Sequence, residues 1–373
     1  MKILYITGQL IIHGGIERVT TAKMNYLASE KEHEVFLLTY EQTNHPFVFD
    51  LDKRIHTHDI GINYNVDYSC ESLYSFKFLK KVPKHIRETK KYLKQINPDV
   101  IIVPNFGYEF YFLPFITTIP LVREYHDSQY KRNMIQSMKQ KCLYAVEKFT
   151  LRHYESIVLL NESETKFFDS GLPIKIIPNP VYLCKQSNKC RENIIVTAGR
   201  LTPVKGYDML IEIWSKIPAV KRNGWILEIY GDGTAEYKVY LENLVSEYKL
   251  TDSVRFCGKT DNVYSNFLNS KIFVCTSLTE SFGLVLVEAA SCGLPIVSFD
   301  CPTGPRHIVN HQKDGFLVSD YSKDAFAKYL EELIEDESMR LKFSEHAIIN
   351  SKRFDIGQVM NKWLELFNHL KKS

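Results

Sequence analysis

The chain has 373 residues, enough for two domains or one large α/β domain, and this excludes a small disulfide-stapled module. Hydrophobic residues make up 45% and charged residues 24%, the balance of a chain that buries a core, so wholesale disorder is excluded as well. Lys and Arg total 47 against 44 Asp and Glu, and a net charge of +3 is too small to carry sequence-independent nucleic-acid binding; any cationic face has to be local.

The start, MKILYITGQLII, is apolar, but it carries one Lys, lacks a small-residue cleavage site and runs straight into Gly14-Gly15. It reads as a first strand over 2–7. Ile16, Val19, Lys23, Met24 and Leu27 follow at helical spacing. Further short β-branched runs at 34–39, 100–104, 121–125, 156–160 and 174–177 alternate with amphipathic stretches, which predicts a parallel sheet covered on both faces. The stretch IIPNPVYLCKQSNKCREN, with Pro178 and Pro180, interrupts the pattern and reads as a linker.

Beyond it a second set of strands is predicted at 194–198, 225–230, 254–257, 272–275 and 295–299. Helices at about 207–218, 235–249, 284–292 and 322–335 fall among them. The expected organisation is an N-terminal Rossmann-like domain over 1–179, a C-terminal one over 180–354, and a last helix over 355–373 packing back on the first domain. Val359, Trp363, Leu366 and Leu370 supply the apolar stripe of that helix. Two doubly wound sheets facing across a cleft would bring their strands' carboxyl ends together, where ligands of open α/β sheets bind.

Three motifs bear on chemistry. Gly14-Gly15-Ile16-Glu17-Arg18 joins the first strand to the first helix: it is either a tight turn or a place where a helix N-terminus meets an anion, and it lacks the G-x-G-x-x-G dinucleotide fingerprint. Ala198-Gly199-Arg200-Leu201-Thr202-Pro203-Val204-Lys205-Gly206 leaves a strand's carboxyl end with two cations, a guanidinium fork and a point charge, which together suit a diphosphate. Glu280 lies in a loop and Glu288 eight residues later on a helix that starts near Gly283 or Leu284. The two carboxylates suit a polyhydroxy ligand, and the amides of Phe282, Gly283 and Leu284 suit a phosphate.

GGIERV, AGRLTPVKG, the E-x7-E element in ESFGLVLVEAASCGLPIV, and YGDG at 230–233 together resemble a GT-B glycosyltransferase of family 4, along nearly the whole chain. SFDCPTGPRHIV at 298–309 is most similar to bacterial members that build capsule, O-antigen or lipid-linked oligosaccharides from UDP-sugars. The resemblance implies that Arg200 and Lys205 neutralise the donor diphosphate and the charge that develops as UDP leaves. It implies further that Glu280 binds donor-sugar hydroxyls, that Glu288 holds the ribose, and that Gly231 belongs to the donor site. Gly15 would lie near the diphosphate or acceptor, and His126, in REYHDS, would be the pocket histidine near the transferred sugar. Transfer with retention, and no metal or other cofactor, are implied in the same way. A sugar-nucleotide epimerase of the same architecture, and a catalytically silent binder of nucleotide-sugars or anionic membrane, are the rival readings.

Other features carry less. Asp50-Leu-Asp52 matches D-x-D, but no buried strand leads into it and Lys53-Arg54 follow, so a surface turn is expected. His56 and His58 share a face of a short extended segment and read as solvent-exposed. Eight cysteines, Cys70, Cys142, Cys184, Cys190, Cys257, Cys275, Cys292 and Cys301, include no C-x-x-C pair and read as mostly buried thiols of a reducing compartment. Two basic stretches, 77–94 with Lys80, Lys81, Lys84 and Arg87, and 131–152, read either as solvated helix faces or as contacts for anionic lipid around an undecaprenyl-pyrophosphate-linked acceptor. No run of about 18 apolar residues occurs. The expected location is therefore cytoplasmic, peripheral on the inner face of the plasma membrane.

Overall fold

A computed structural model describes residues 1–30, 32–64, 79–105, 107–130, 137–185 and 190–372. Cys70, Lys77, Lys131 and Arg132 lie outside the described residues. The chain divides into two compact units, Met1–Pro180 with Ile356–Ser373, and Val181–Asp355.

The first unit is built on seven parallel strands, β1 (Lys2–Thr7), β2 (Glu34–Thr39), β3 (His56–Asp59), β4 (Val100–Val103), β5 (Leu121–Glu124), β6 (Ser156–Leu159) and β7 (Ile174–Ile176), in the order β3-β2-β1-β4-β5-β6-β7. Helices α1 (Gly15–Ser29), α2 (Val82–Ile96), α3 (Tyr108–Phe112) and α4 (Met138–Leu151) connect them. Alternate residues of β1 enter opposite cores: Ile3 and Tyr5 pack with Met24 and Leu27 of α1, and Leu4 and Ile6 pack with Tyr92 and Leu93 of α2. A strand covered on both faces has to be apolar throughout, which is why these runs lack polar alternation.

The second unit repeats the plan with six strands, β8 (Ile194–Ala198), β9 (Ile226–Tyr230), β10 (Val254–Gly258), β11 (Ile272–Cys275), β12 (Ile296–Phe299) and β13 (Gly315–Val318), ordered β10-β9-β8-β11-β12-β13. Its helices are α5 (Tyr207–Lys216), α6 (Ala219–Arg222), α7 (Ala235–Glu247), α8 (Val263–Asn269), α9 (Leu284–Ser291), α10 (Lys323–Glu335) and α11 (Glu337–Ser351). In both sheets the strand order reverses beside the first strand, between β1 and β4 and between β8 and β11. The reversal opens a crevice at the strands' carboxyl ends.

Helix α12 (Ile356–Lys372) returns to the first unit, with Val359, Trp363, Leu366 and Leu370 all buried beside α1 and β1. Elements that were not expected include β3, whose HTHD sequence has no apolar residue, β13, the short helices α6 and α8, and α11, whose buried stripe is only Phe343, Ala347 and Ser351. His56 and His58 are exposed, and each also stacks on a ring of the first unit, His56 on Phe36 at 4.9 Å and His58 on Tyr92 at 4.8 Å. Asp52 accepts from the Arg54 backbone amide at 2.9 Å and from its guanidinium at 2.8 Å, a local turn.

The cysteines correct one expectation. Of the seven described, Cys275, Cys292 and Cys301 are buried, whereas Cys142, Cys190 and Cys257 are exposed and Cys184 is intermediate. Cys142 lies on the outward face of α4 and Cys257 near the end of the edge strand β10, so neither reaches a core. Among the described residues no helix is long and apolar enough to cross a membrane.

Trp363→Ala is expected to destabilise the first unit by about 3–5 kcal/mol, because a fully buried indole leaves a cavity that its neighbours fill only in part. An earlier urea midpoint for this variant checks it; an unchanged midpoint would contradict the packing described.

Candidate active site

The second unit's crevice is assembled by backbone contacts that need glycine. Gly231, at the carboxyl end of β9, has φ 142°, and a Cβ there would lie 1.8 Å from the Gly199 carbonyl oxygen after β8. Gly206 (φ 63°) closes the short turn Pro203–Lys205, where a Cβ would meet the Thr276 carbonyl oxygen at 2.3 Å. The Gly199 amide donates to the Tyr230 carbonyl at 2.9 Å, Leu201 to Asp232 at 2.8 Å and Leu278 to Val204 at 2.8 Å. These contacts lock together the loops that follow β8, β9 and β11. Only glycine lets main chains approach so closely.

Lys205 and Glu280 meet on this platform. Lys205 Nζ donates to Glu280 Oε1 at 2.5 Å, and Ser277 Oγ donates to the same oxygen at 2.8 Å. Cys275 Sγ in turn donates to Ser277 Oγ at 3.5 Å. The pair is partly buried, with side chains 23% and 12% exposed, so it sits at a wall and can still be reached. Burial alone would lower the Lys205 pKa; the Glu280 carboxylate beside it outweighs burial and holds it above the ordinary lysine value. Thr197, Ala198, Tyr207, Thr276 and Val285 complete a small pocket around them, between the carboxyl ends of β8 and β11 where the strand order reverses.

The Glu280 backbone is fixed as well. Its amide donates to the Pro302 carbonyl at 3.0 Å, and its carbonyl accepts from Thr303 at 2.7 Å and Gly304 at 2.8 Å. This ties the β11 loop, which carries Glu280, to the loop after β12. Arg200 is exposed on the loop between Gly199 and Leu201, close enough for its charge to act on Lys205.

Phe282 is buried edge-on to Phe354 at 5.5 Å, and Gly283 (φ 93°) caps α9, whose first residue is Leu284. Glu288 is 3% exposed on α9, and its carbonyl accepts from Ser291 Oγ at 2.8 Å. Of the two carboxylates of the E-x7-E element, Glu280 therefore faces the pocket and Glu288 lies in the packed layer of the helix.

In the first unit Gly15 is the first residue of α1, after the N-cap Gly14. A Cβ on Gly14 would lie 2.2 Å from Glu17 Oε2, so the carboxylate of Glu17 folds back over the glycine turn. His126 follows β5 and is buried; its Nε2 lies 3.1 Å from Glu124 Oε2, which also takes an ion pair from Lys23. Neither Lys23 nor Glu124 was singled out from sequence. The signal was there: a lysine on the apolar stripe of α1, and a carboxylate in a strand buried on both faces.

On α2, Lys81 Nζ donates to the Asn63 carbonyl, Lys84 Nζ to the Gly61 carbonyl at 3.3 Å, and Arg87 pairs with Glu88 at 2.8 Å, while Lys80 is exposed just before the helix. Part of this charge ties α2 to the loop after β3, and exposed Lys90, Lys91 and Lys94 extend the basic face.

Two family models match, Glycosyltransferase Family 4 over residues 13–183 and Glycosyl transferases group 1 over residues 184–349. An uncharacterized glycosyltransferase of Haemophilus influenzae is 26% identical over 94% of this chain and 95% of its own length. The amylovoran biosynthesis glycosyltransferase of Erwinia amylovora is 29% identical over 57% of this chain and 62% of its own length. Among solved structures, HepE of Anabaena in complex with UDP superposes with a TM-score of 0.79 at 19% identity, covering 99% of this chain and 100% of that one.

Because the Lys205 pKa is raised in the folded state, its contribution to stability is complete below the ordinary lysine value of 10.5 and is lost as pH climbs through the raised value. The stability difference between wild type and Lys205→Met is expected to hold from pH 7 to about pH 10 and to shrink above it. Urea denaturation at a series of pH values checks this, and a difference that grows with pH would contradict the pairing.

Proposed function

The chain belongs to the family 4 glycosyltransferases of GT-B fold, and from that premise we propose that it transfers a hexose or N-acetylhexosamine, with retention, from a UDP-sugar to a hydroxyl of a bacterial surface-glycan precursor. The observation that carries the reading is the Lys205–Glu280 pair at the β8/β11 crevice, with Arg200 on the same loop.

As the bond between the sugar and the diphosphate breaks, negative charge grows on the leaving UDP. Fixed cations aimed at that charge lower the barrier, because they need no reorganisation during the reaction. Lys205 suits this task, since Glu280, braced by Ser277, holds its ammonium in place before any ligand arrives. Glu280 keeps a second oxygen for sugar hydroxyls, and Arg200 adds a guanidinium fork that matches a diphosphate. Glu288 is assigned to the ribose, Gly231, Phe282, Gly283 and Leu284 to the donor's nucleotide side, and Gly15 and His126 to the sugar and acceptor.

UDP is supported as the nucleotide by the HepE complex. A lipid-pyrophosphate acceptor is supported by a Campylobacter jejuni relative, 22% identical over the whole of this chain, which acts on an undecaprenol-linked glycan. An acceptor of that kind requires a membrane surface. The basic face of α2, with Lys80, Lys81, Lys84 and Arg87, is assigned to anionic headgroups at about 1 kcal/mol for each cation near the surface.

The test is UDP or GDP release from UDP-glucose, UDP-galactose, UDP-N-acetylglucosamine, UDP-N-acetylgalactosamine and GDP-mannose, with and without lipid-linked glycan acceptors. Acceptor-dependent release from a UDP-sugar is expected, and Lys205→Ala should reduce kcat by about 10²–10³-fold. Interconversion of UDP-sugars without an acceptor would indicate an epimerase, and binding without turnover a silent module.

A further inference from the structure

Two residues to which the sequence assigned no role, Lys23 and Glu124, meet inside the first unit beside His126. We propose that they are positioning residues that lock the His126 imidazole as its Nε2–H tautomer and present Nδ1 as a buried acceptor for a ligand hydroxyl. That the hydroxyl belongs to a sugar rests on the transfer reading above.

Glu124 ends β5 and His126 lies two residues on, and the 3.1 Å contact between them puts both side chains on one side. Both side chains are 3% exposed. Lys23, 1% exposed, arrives from the buried stripe of α1 and is held over the Trp363 ring at 4.3 Å and near the Tyr5 ring at 5.7 Å. Lys23 Nζ and His126 Nε2 converge on one atom, Glu124 Oε2. Burial opposes charge on Glu124, yet the Lys23 ammonium first and the hydrogen bond from His126 second overcome it and hold the carboxyl below the ordinary carboxylate value.

An ionised carboxylate only accepts hydrogen bonds, so the ring nitrogen facing it carries the proton. The Lys23 cation already balances the carboxylate. A protonated imidazole would leave an uncompensated positive charge in a buried place, and this favours the neutral ring with a bare Nδ1. Nδ1 is buried and has no hydrogen-bond partner among the described residues. A purely structural ion pair between Lys23 and Glu124 would need no histidine. Here one is added just past the carboxyl end of β5, two strands from β1, on the sheet edge where ligands of such folds bind. A hydroxyl that donates to Nδ1 supplies the missing bond, and rotation of the ring would forfeit it.

Long-range ¹H–¹⁵N correlation spectra of the full chain carrying ¹⁵N-histidine read the tautomer without ligand, with His126 assigned by its loss in His126→Ala. The expected spectrum has Nε2 protonated and Nδ1 bare, and Glu124→Gln replaces it with a tautomer mixture. With whichever of the five nucleotide-sugars is turned over, Glu124→Gln should lower kcat by about 10–100-fold, the usual scale for losing a group that orients a histidine, and leave the donor KM little changed. Glu124→Gln/His126→Ala should be no slower than His126→Ala alone, because the two act as a unit. If Glu124→Gln does not fold, Lys23→Met/Glu124→Gln removes both buried charges together, a change cores tolerate, and the same spectrum and kcat are expected. A wild-type His126 protonated at Nδ1 overturns the proposal, as does a folded Glu124→Gln enzyme with wild-type kcat. Absence of turnover with all five sugars removes the transfer reading instead, and the spectrum still decides the tautomer.

Discussion

The ion pair between Lys205 and Glu280 is the interaction on which the chemistry proposed for the second unit depends. Its partners are 75 residues apart in sequence, and they meet because parallel strands deliver every carboxyl end to one edge of the sheet. Glycines at 206 and 231 then allow the loops to touch backbone to backbone. Each contact serves the next: the Gly206 turn aims Lys205, Ser277 braces the carboxylate, and the bridge from Glu280 to Thr303 fixes the loop that carries it. A cation held in this way meets a diphosphate without first being ordered. That readiness is what electrostatic catalysis requires.

The first unit solves a different problem with the same strand order. Its buried charges, Lys23 and Glu124, neutralise each other, with Lys23 under the indole of Trp363, so a helix from the far end of the sequence completes the shell around the lysine. Replacing such a pair by apolar residues is often neutral for stability. Its presence is better explained by what it does to the imidazole than by what it adds to the core.

The fold was largely legible because inner strands covered on both faces, such as β4 (VIIV) and β11 (IFVC), are written as unbroken apolar runs. Among the elements that were missed, HTHD forms β3 as an edge strand without an apolar residue, GFLV is an apolar run of only four residues after a turn, and α11 buries a single thin stripe. Of the candidate site, the loops carrying Arg200, Lys205 and Glu280 could be placed because glycines and charges cluster at strand ends. The pairing of Lys205 with Glu280, and the convergence of Lys23 and Glu124 on His126, arise from residues far apart in sequence, and no local pattern encodes them. Exposed Cys142 and Cys257 were misplaced because composition gives the tendency of a residue type and cannot say which face of α4 or which end of β10 a given side chain occupies.

The central claim is that the loops at the carboxyl edge of the second sheet form a preassembled diphosphate site. Hydrogen exchange read by mass spectrometry, with and without UDP, tests it without needing the sugar or the acceptor. The account predicts slowed exchange in 198–207, 230–233 and 277–284. UDP that binds while leaving these three segments unchanged, and protects amides elsewhere, would contradict it.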